Sequence, residues 1–346
     1  MTRIVLLLLG ALVLVLLLWQ LGPAEILRTI AVLGWHAIPI LLLYAVYQAM
    51  RAMAFRLSLP RPREFPFLDA LWIRLSGDAV RALTFTGPFL GEPTKAWLLK
   101  RHGFTLTQGF AATLTAAVMN LALGAGMGTA GLLYLLQYAE MPAPAARLAV
   151  GLVWLNVGFL LVAAAAVATR TYLIGAVLGG LSRAGVLRGR FKPDIAAVNR
   201  MEDMLLGILR DQPVRAAAIL LAEVGGQVAL VLELAWILRA LDFATPMTSA
   251  LVIESATKFI TVVFFFVPLQ MGASEGAYAV VFGALGLSAA VGFSVSFFRR
   301  FRSLIVASIG LAALDRLTRR TTGAPKGTPP APVEPGATDC NPEVHT

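Results

Sequence analysis

The chain has 346 residues, of which 58% are hydrophobic and 14% are charged, and its mean hydropathy is +0.78. This composition indicates an integral membrane protein, with room for about eight membrane elements and no soluble catalytic domain beside them. The formal charge of +10 fits cytoplasmic loops facing anionic lipid better than a nucleic-acid interface. With one cysteine and three dispersed histidines, we expect no disulfide, no metal site and no cofactor.

Two apolar segments at the N-terminus predict membrane helices. Residues 1–21 form an almost unbroken Leu and Val stretch after Arg3, without a good cleavage site, which favours an uncleaved helix over a signal peptide. The second segment, residues 38–55, ends among four arginines at positions 51 to 63. Because basic residues concentrate in cytoplasmic loops, we expect the N-terminus and the loop 56–66 to lie in the cytoplasm.

The stretch 67–101 cannot be an ordinary lipid-facing span, because charged residues interrupt it throughout. These residues are Asp69, Arg74, Asp78, Arg81, Glu92 and Lys95. The stretch is also broken at Gly87 and Pro88. Charges and irregular backbone survive at membrane depth only inside protein or beside water, so we predict a re-entrant or broken helix pair.

The middle of the chain predicts two crossing helices and a linker. Residues 106–136 would cross outward, since the following loop 137–146 has no Lys or Arg, and residues 148–169 would return. The segment 170–215 has eight basic and four acidic residues and an amphipathic part at 195–209. We expect a cytoplasmic linker that lies along the membrane surface.

The second half contains four further apolar runs, at residues 216–238, 248–267, 277–287 and 289–314. The third run is too short to span a membrane alone, which predicts a second broken element. From residue 321 to 346 the chain is rich in Pro, Gly, Thr and Ala, so we expect a disordered cytoplasmic tail after a transmembrane unit of residues 1–320.

Two short motifs match enzyme signatures by chance. The sequence GMGTAG at Gly126–Gly131 satisfies a dinucleotide fingerprint but lies in a long apolar run, so close helix packing through small residues is the better interpretation. The sequence GASEG at Gly272–Gly276 satisfies the nucleophile elbow of serine hydrolases. The only histidine after Ser274 lies in the tail, so a triad is not expected.

A similar breaker pattern occurs in both halves of the chain. Pro88, Gly91 and Glu92 form it in the first half, and Pro268, Gly272 and Glu275 form it in the second. Interrupted helices at corresponding positions point to a substrate site near the membrane midplane. We therefore predict that Glu92 and Glu275 approach one cavity; two ordinary interfacial turns are the alternative.

A cluster of three arginines, Arg299, Arg300 and Arg302, interrupts the last apolar run. Buried charges require partners, and the candidate partners are Glu92, Glu254 and Glu275. The alternative is a short cytoplasmic loop between two half-length helices. Glu254 and Lys258 have the spacing of a helical ion pair. Glu223 and Glu233 also interrupt an apolar helix, and either a structural or a functional pairing is open for them.

A family resemblance rests on two segments. The first is residues 87–103, GPFLGEPTKAWLLKRHG; the second is residues 253–287, IESATKFITVVFFFVPLQMGASEGAYAVVFGALGL, followed by the basic helix of residues 297–315. With RAMAFRLSL at Arg51–Leu59, they resemble the flippase-like transmembrane domain of lysylphosphatidylglycerol synthases, most closely a hopanoid-biosynthesis-associated branch. The resemblance implies an all-helical bundle with two re-entrant elements that moves a lipid headgroup.

These observations favour a lipid flippase or transporter of the bacterial inner membrane that carries a polar-headgroup or isoprenoid-type lipid. The residues expected to bind the lipid are Arg74, Arg81, Glu92, Lys95, Glu254, Lys258, Glu275, Arg299, Arg300 and Arg302. The residues expected to break helices are Gly87, Pro88, Gly91, Pro268 and Gly272. No nucleotide-binding loop is present, so movement would be downhill or coupled to an ion gradient.

Two alternatives remain open from the sequence. One is a membrane-embedded transferase with a lipid-linked donor and Glu92 or Glu275 as general base. The other is a noncatalytic partner of enzymes in lipid or hopanoid assembly. Only about 30 polar residues follow the bundle, so we expect no appended aminoacyl-transferase domain.

Overall fold

The computed structural model describes residues 34–84, 87–139, 141–184, 194–241, 246–258 and 273–319. Within these ranges it contains eleven α-helices and no strand, which confirms the predicted all-helical bundle. Several sequence predictions lie outside the described residues: the first helix at 1–21, the breakers Pro268 and Gly272, and the tail at 321–346.

The helices follow one another in chain order after a single 3-10 turn at Gly34–His36. They are α1 Ala37–Leu57, α2 Phe67–Leu83, α3 Gly87–Lys100, α4 Leu106–Tyr138, α5 Ala143–Thr169, α6 Leu173–Arg183, α7 Ile195–Asp211, α8 Pro213–Ala240, α9 Met247–Ala256, α10 Ala273–Ala284 and α11 Ala289–Arg319.

Four of the described helices are long and apolar enough to cross a membrane: α1 with its preceding turn, α4, α5 and α8. Helix α5 is the least buried of them, and large apolar side chains such as Leu148, Trp154 and Leu161 are exposed on it. Exposed apolar surface of this extent fits contact with lipid tails rather than with water. The protein is therefore a membrane protein with a polytopic helical bundle.

Helices α2 and α3 form the predicted interrupted pair. Helix α2 ends at Leu83 and α3 begins at Gly87, so the interruption lies beside the predicted breakers Gly87 and Pro88. With 17 and 14 residues, both are shorter than the roughly 20 residues that a span requires. They pack against each other, while α2 contacts α11 and α3 contacts α4.

Helix α11 is continuous from Ala289 to Arg319, with the three arginines inside it. The alternative of a short loop between two half-length helices is therefore wrong. Arg299 and Arg302 do not need a solvent-exposed loop, because glutamates from other helices of the bundle form ion pairs with them.

Small residues allow α4 and α9 to approach closely. A Cβ atom added to Gly131 would lie 2.6 Å from the backbone nitrogen of Ala256, whereas one added to Gly126 would meet nothing within 4 Å. The glycine motif at 126–131 thus lies within a helix, and its close-packing interpretation is confirmed at Gly131.

The described part of the linker after α5 contains two helices, which a carboxylate joins. Helix α7 closely matches the predicted amphipathic segment, and its apolar face is buried at Val198, Leu205 and Ile208. Glu202 on α7 accepts hydrogen bonds of 2.8 Å from the backbone N–H groups of Ile174 and Gly175, at the start of α6. Carboxylates stabilise helix N-termini in this way, so α6 is attached firmly to α7.

Helices α1 and α8 pack antiparallel and are fastened at three levels. Arg215 near the start of α8 donates hydrogen bonds to the carbonyls of Leu57 and Leu59 at the end of α1. Farther along α8, Gly226 leaves room for α1, because a Cβ atom added to it would lie 3.3 Å from the ring of Tyr47. At the opposite end, the rings of Trp35 and Trp236 meet edge to face at 6.2 Å.

Candidate functional site

A polar cavity of about 510 Å³ lies among α1, α2, α3, α4, α8 and α11. Five cationic and two anionic side chains line it: Arg51, Arg74, Arg81, Lys95, Lys258, Asp78 and Glu92. Uncharged polar residues, including Tyr44, Tyr47, Gln48, Asn120 and Gln227, complete the wall.

Helix α2 contributes one charged face to this cavity. Arg74, Asp78 and Arg81 are spaced by four and three residues, so they project from the same side of the helix. Asp78 joins the group: its oxygens lie 2.9 Å from Arg74, 2.9 Å from Lys95 Nζ and 3.6 Å from Arg81. Lys95 also donates a 3.0 Å hydrogen bond to Glu92 within α3.

Glycines bring α2 and α3 together around this group. A Cβ on Gly77 would lie 2.7 Å from the Cε atom of Lys95, and a Cβ on Gly91 would lie 2.9 Å from the Cβ of Arg81. Gly91, predicted as a helix breaker, instead lies inside α3 as a helix contact. Only a residue without a side chain leaves room for Arg81 at this position, so Gly91 permits close packing of α2 and α3 and does not end a helix.

Helix α1 adds an arginine from the basic end of the second apolar segment. Arg51 lies within the bundle, where it donates a 3.1 Å hydrogen bond to the Tyr47 hydroxyl and lies 3.3 Å from Glu223 on α8. We call Arg51, Arg74, Asp78, Arg81, Glu92 and Lys95 the cavity cluster.

A second group of charges is buried between α8, α9 and α11. Arg299 donates a 2.6 Å hydrogen bond to Glu254 and lies 3.8 Å from Glu233, while Arg302 bonds directly to Glu233. The Tyr278 hydroxyl accepts a further 2.6 Å bond from Arg299. We call Glu233, Glu254, Arg299 and Arg302 the sealed cluster, because none of these four residues lines the cavity.

Two contacts join the sealed cluster to residues of the cavity wall. Lys258 lines the cavity, and its Nζ atom lies 2.5 Å from Glu254 of the sealed cluster, which confirms the predicted Glu254–Lys258 pair. Tyr44 also lines the cavity, and the Arg302 guanidinium lies over its ring at 3.5 Å from the centroid. A cation over an aromatic face is attracted to the ring, so Tyr44 gives Arg302 a second support.

The structure therefore divides the sequence-predicted binding residues. Arg74, Arg81, Glu92, Lys95 and Lys258 line one cavity, whereas Arg299, Arg302 and Glu254 are paired away from it. Arg300 is buried on α11 and donates a 3.0 Å hydrogen bond to Ser274, the serine of the hydrolase-like motif.

The side chain of Glu275 lies outside the described residues, so its approach to Glu92 stays a prediction. Arg51, Asp78 and Glu233 are the important residues that the predicted binding set lacked. Each was visible in the sequence as a charge in an apolar segment, which is the signal that could have found them.

Two buried amide oxygens in the cavity wall lack a hydrogen-bond partner among the described residues. Asn120 Oδ1 on α4 and Gln227 Oε1 on α8 accept no hydrogen bond from any residue in the described ranges. Buried polar atoms normally have a partner, so these atoms suit a ligand or water in the cavity. Among the described residues, no group of three or more His, Cys, Asp or Glu side chains is placed to hold a metal ion.

Comparison with known proteins gives one match. Residues 3–310 match the family model described as the lysylphosphatidylglycerol synthase TM region. No curated protein and no solved structure matches the chain.

Proposed function

Because the chain belongs to the family of the lysylphosphatidylglycerol synthase TM region, we propose that it moves an anionic lipid across the bilayer, with the headgroup in the cavity and the tails in the surrounding lipid. The observation that carries this proposal is the lining of the cavity, in which cationic side chains outnumber anionic ones five to two. A volume of about 510 Å³ is within the range of small-molecule sites.

The cavity cluster supports binding of a phosphate group. Arginine presents a planar fork that bonds phosphate oxygens in pairs, and lysine supplies a compact charge. Arg81 is the most available of these cations, because its side chain is 43% exposed and lies 3.6 Å from Asp78. Asp78 holds Arg74 and Lys95 more closely and so keeps the remaining cations oriented before a lipid arrives.

The sealed cluster supports a different assignment for Arg299 and Arg302. Their guanidinium groups already bond to Glu254 and Glu233, so binding a headgroup would require breaking buried ion pairs. We therefore assign these two residues to holding α8, α9 and α11 together, and we assign headgroup binding to the cavity cluster with Lys258.

Reconstitution tests this function directly. The full-length chain is placed in phosphatidylcholine vesicles with fluorescent phosphatidylglycerol, and an impermeant reductant bleaches the outer leaflet. We expect complete bleaching with the protein and bleaching of the outer leaflet alone without it. A parallel sample with a labelled isoprenyl phosphate distinguishes the two lipid classes that share a phosphate. Equal protection of both lipids in vesicles with and without the protein would overturn the proposal.

Mass spectrometry of the same vesicles separates transport from chemistry. A transporter leaves the mass of each lipid unchanged, whereas the alternative transferase changes it. A new lipid mass formed with a lipid-linked donor would favour the transferase. Partnership with lipid-biosynthesis enzymes is the third possibility, and leaflet exchange by the purified chain alone would show that no partner is needed for transport.

The proposed location is the bacterial inner membrane, with both termini and the linker in the cytoplasm, because basic residues concentrate there. Cysteines introduced at Ser182 and Pro329, after removal of Cys340, should resist an impermeant thiol reagent in intact cells. A cysteine in the loop 137–146 should react readily and serves as the positive control. Labelling of either of these two cysteines would contradict the proposed topology.

A further inference from the structure

Glu223 is a buried carboxylate that has no role in the proposed binding of a headgroup. It lies on α8 with no exposed surface, and its nearest cation is Arg51, whose Nε atom lies 3.3 Å from Glu223 Oε2. Neither carboxylate oxygen accepts a hydrogen bond from any residue that the structure describes. Glu254 differs, because it accepts hydrogen bonds from both Lys258 and Arg299.

Arg51 connects this carboxylate to the cavity. Its side chain lines the cavity and also bonds to Tyr47, so an anion in the cavity competes with Glu223 for the same guanidinium. The other charged groups near Glu223 are Arg74 and Asp78 on α2 and Lys95 on α3, within the described residues. Those three are already joined to one another through Asp78, which leaves Arg51 as the main counter-charge of Glu223.

A polar side chain of the cavity wall lies near Glu223 on α8. Gln227 is one helical turn beyond Glu223 on the same face of α8, and it lines the cavity. Its Oε1 atom is one of the two amide oxygens of the cavity wall that accept no hydrogen bond within the described ranges, so water in the cavity can bond to it.

We propose that Glu223 is a proton-binding site that couples lipid movement to a proton gradient, an inference that rests on the proposed function. When the anionic headgroup binds Arg51, the Glu223 carboxylate loses its counter-charge. A buried carboxylate without a counter-charge takes up a proton from water and becomes a neutral carboxylic acid. When the headgroup leaves, Arg51 returns and the proton is released, so one proton moves with each lipid of single negative charge.

This stoichiometry makes a distinctive electrical prediction. A lipid anion and a proton together carry no net charge, so their movement should respond to a pH gradient and not to a membrane potential. A gradient of one pH unit should produce an asymmetry of about tenfold between the leaflets at equilibrium. The same vesicles with fluorescent phosphatidylglycerol and an internal pH dye measure both fluxes.

Two variants test the role of Glu223. Glu223→Gln removes the titratable group, so lipid movement should become independent of the pH gradient, carry no proton and respond to a potassium diffusion potential. Glu223→Asp keeps a titratable carboxylate and should retain the response to pH. Asp203→Asn, an exposed acid on α7, is the control and should behave as the wild type.

The wild-type measurement decides the question even if Glu223→Gln fails to fold. Lipid exchange by the wild type without proton flux, or with a response to the potential, would overturn proton coupling and leave the proposed transport intact. If the folded Glu223→Gln variant kept unchanged proton coupling, another group would carry the proton and the role proposed for Glu223 would be wrong. No lipid exchange by the wild type would instead contradict the proposed function itself.

Discussion

The cavity cluster and the sealed cluster are built from the same kinds of side chain, but their surroundings differ. In the cavity cluster, Arg81 is 43% exposed beside open space, whereas in the sealed cluster Glu233 is fully buried and bonded to Arg302. An arginine beside a cavity can exchange a carboxylate for a ligand, but an arginine closed between helices cannot. The surroundings of a charge therefore indicate its role more clearly than its sequence position does.

The largest effect should come from breaking the sealed cluster. Glu233→Gln leaves Arg302 as a buried charge without its bonded carboxylate, so we expect unfolding to become easier by about 3–5 kcal/mol. Thermal unfolding in detergent micelles measures this change. The exposed-acid variant Asp203→Asn is the control and should change stability by less than about 0.5 kcal/mol.

A double variant strengthens this test. Adding Arg302→Met to Glu233→Gln removes the uncompensated charge and should recover part of the lost stability. Unchanged stability in the single variant would mean that the sealed cluster does not hold the helices together.

A substitution in the cavity cluster should reduce lipid transport and leave stability nearly unchanged, whereas a substitution in the sealed cluster should reduce stability. In Arg81→Gln, loss of a charge-assisted bond to phosphate, worth about 1.5–3 kcal/mol, should slow leaflet exchange about tenfold or more. Stability should change by less than about 1 kcal/mol, since the pair with Asp78 is partly solvated. Arg81→Lys should restore part of the rate, because the charge returns without the planar fork.

The matched control for this rate is Arg61→Gln, an exposed arginine in the loop after α1 that lies 3.9 Å from Glu64. It should exchange lipid at the wild-type rate. Equal rates of leaflet exchange for Arg81→Gln and Arg61→Gln would show that Arg81 does not bind the headgroup.

A smaller effect is expected where α4 meets α9 beside the sealed cluster. Gly131→Ala places a methyl group against the backbone of Ala256, so we expect a loss of about 1–3 kcal/mol in stability. Gly126→Ala on the same helix meets nothing within 4 Å and should stabilise the protein by up to about 1 kcal/mol. Similar unfolding temperatures for the two variants would argue against close packing at Gly131.

The long apolar helices were predictable because their signal is local. The apolar runs at 38–55, 106–136 and 216–238 correspond to α1, α4 and α8 with differences of a few residues at the ends. The run at 289–314 predicted most of α11, but its continuity through three arginines was one of two open possibilities, because arginines can remain in a membrane helix only if other helices supply partners. That condition depends on tertiary contacts with Glu233 and Glu254.

The charged residues of the candidate site were predictable only in part. Arg74, Arg81, Glu92 and Lys95 were grouped correctly as one charged region, since they occupy two short neighbouring helices. Arg51 was assigned to the loop charges because three more arginines follow it within 12 residues. Its place inside the bundle depends on its pairing with Glu223, which is more than 150 residues away, and the sequence does not show which charges pair.

The three-level attachment of α1 to α8 has a consequence for the proposed transport. The bonds from Arg215, the packing of Gly226 against Tyr47 and the Trp35–Trp236 contact would have to be lost together for these helices to separate. If the protein moves lipid as proposed, this helix pair would therefore be its stationary frame. A change of access would then have to come from other helices, and α2 and α3 would move as one unit because Lys95 and Asp78 join them.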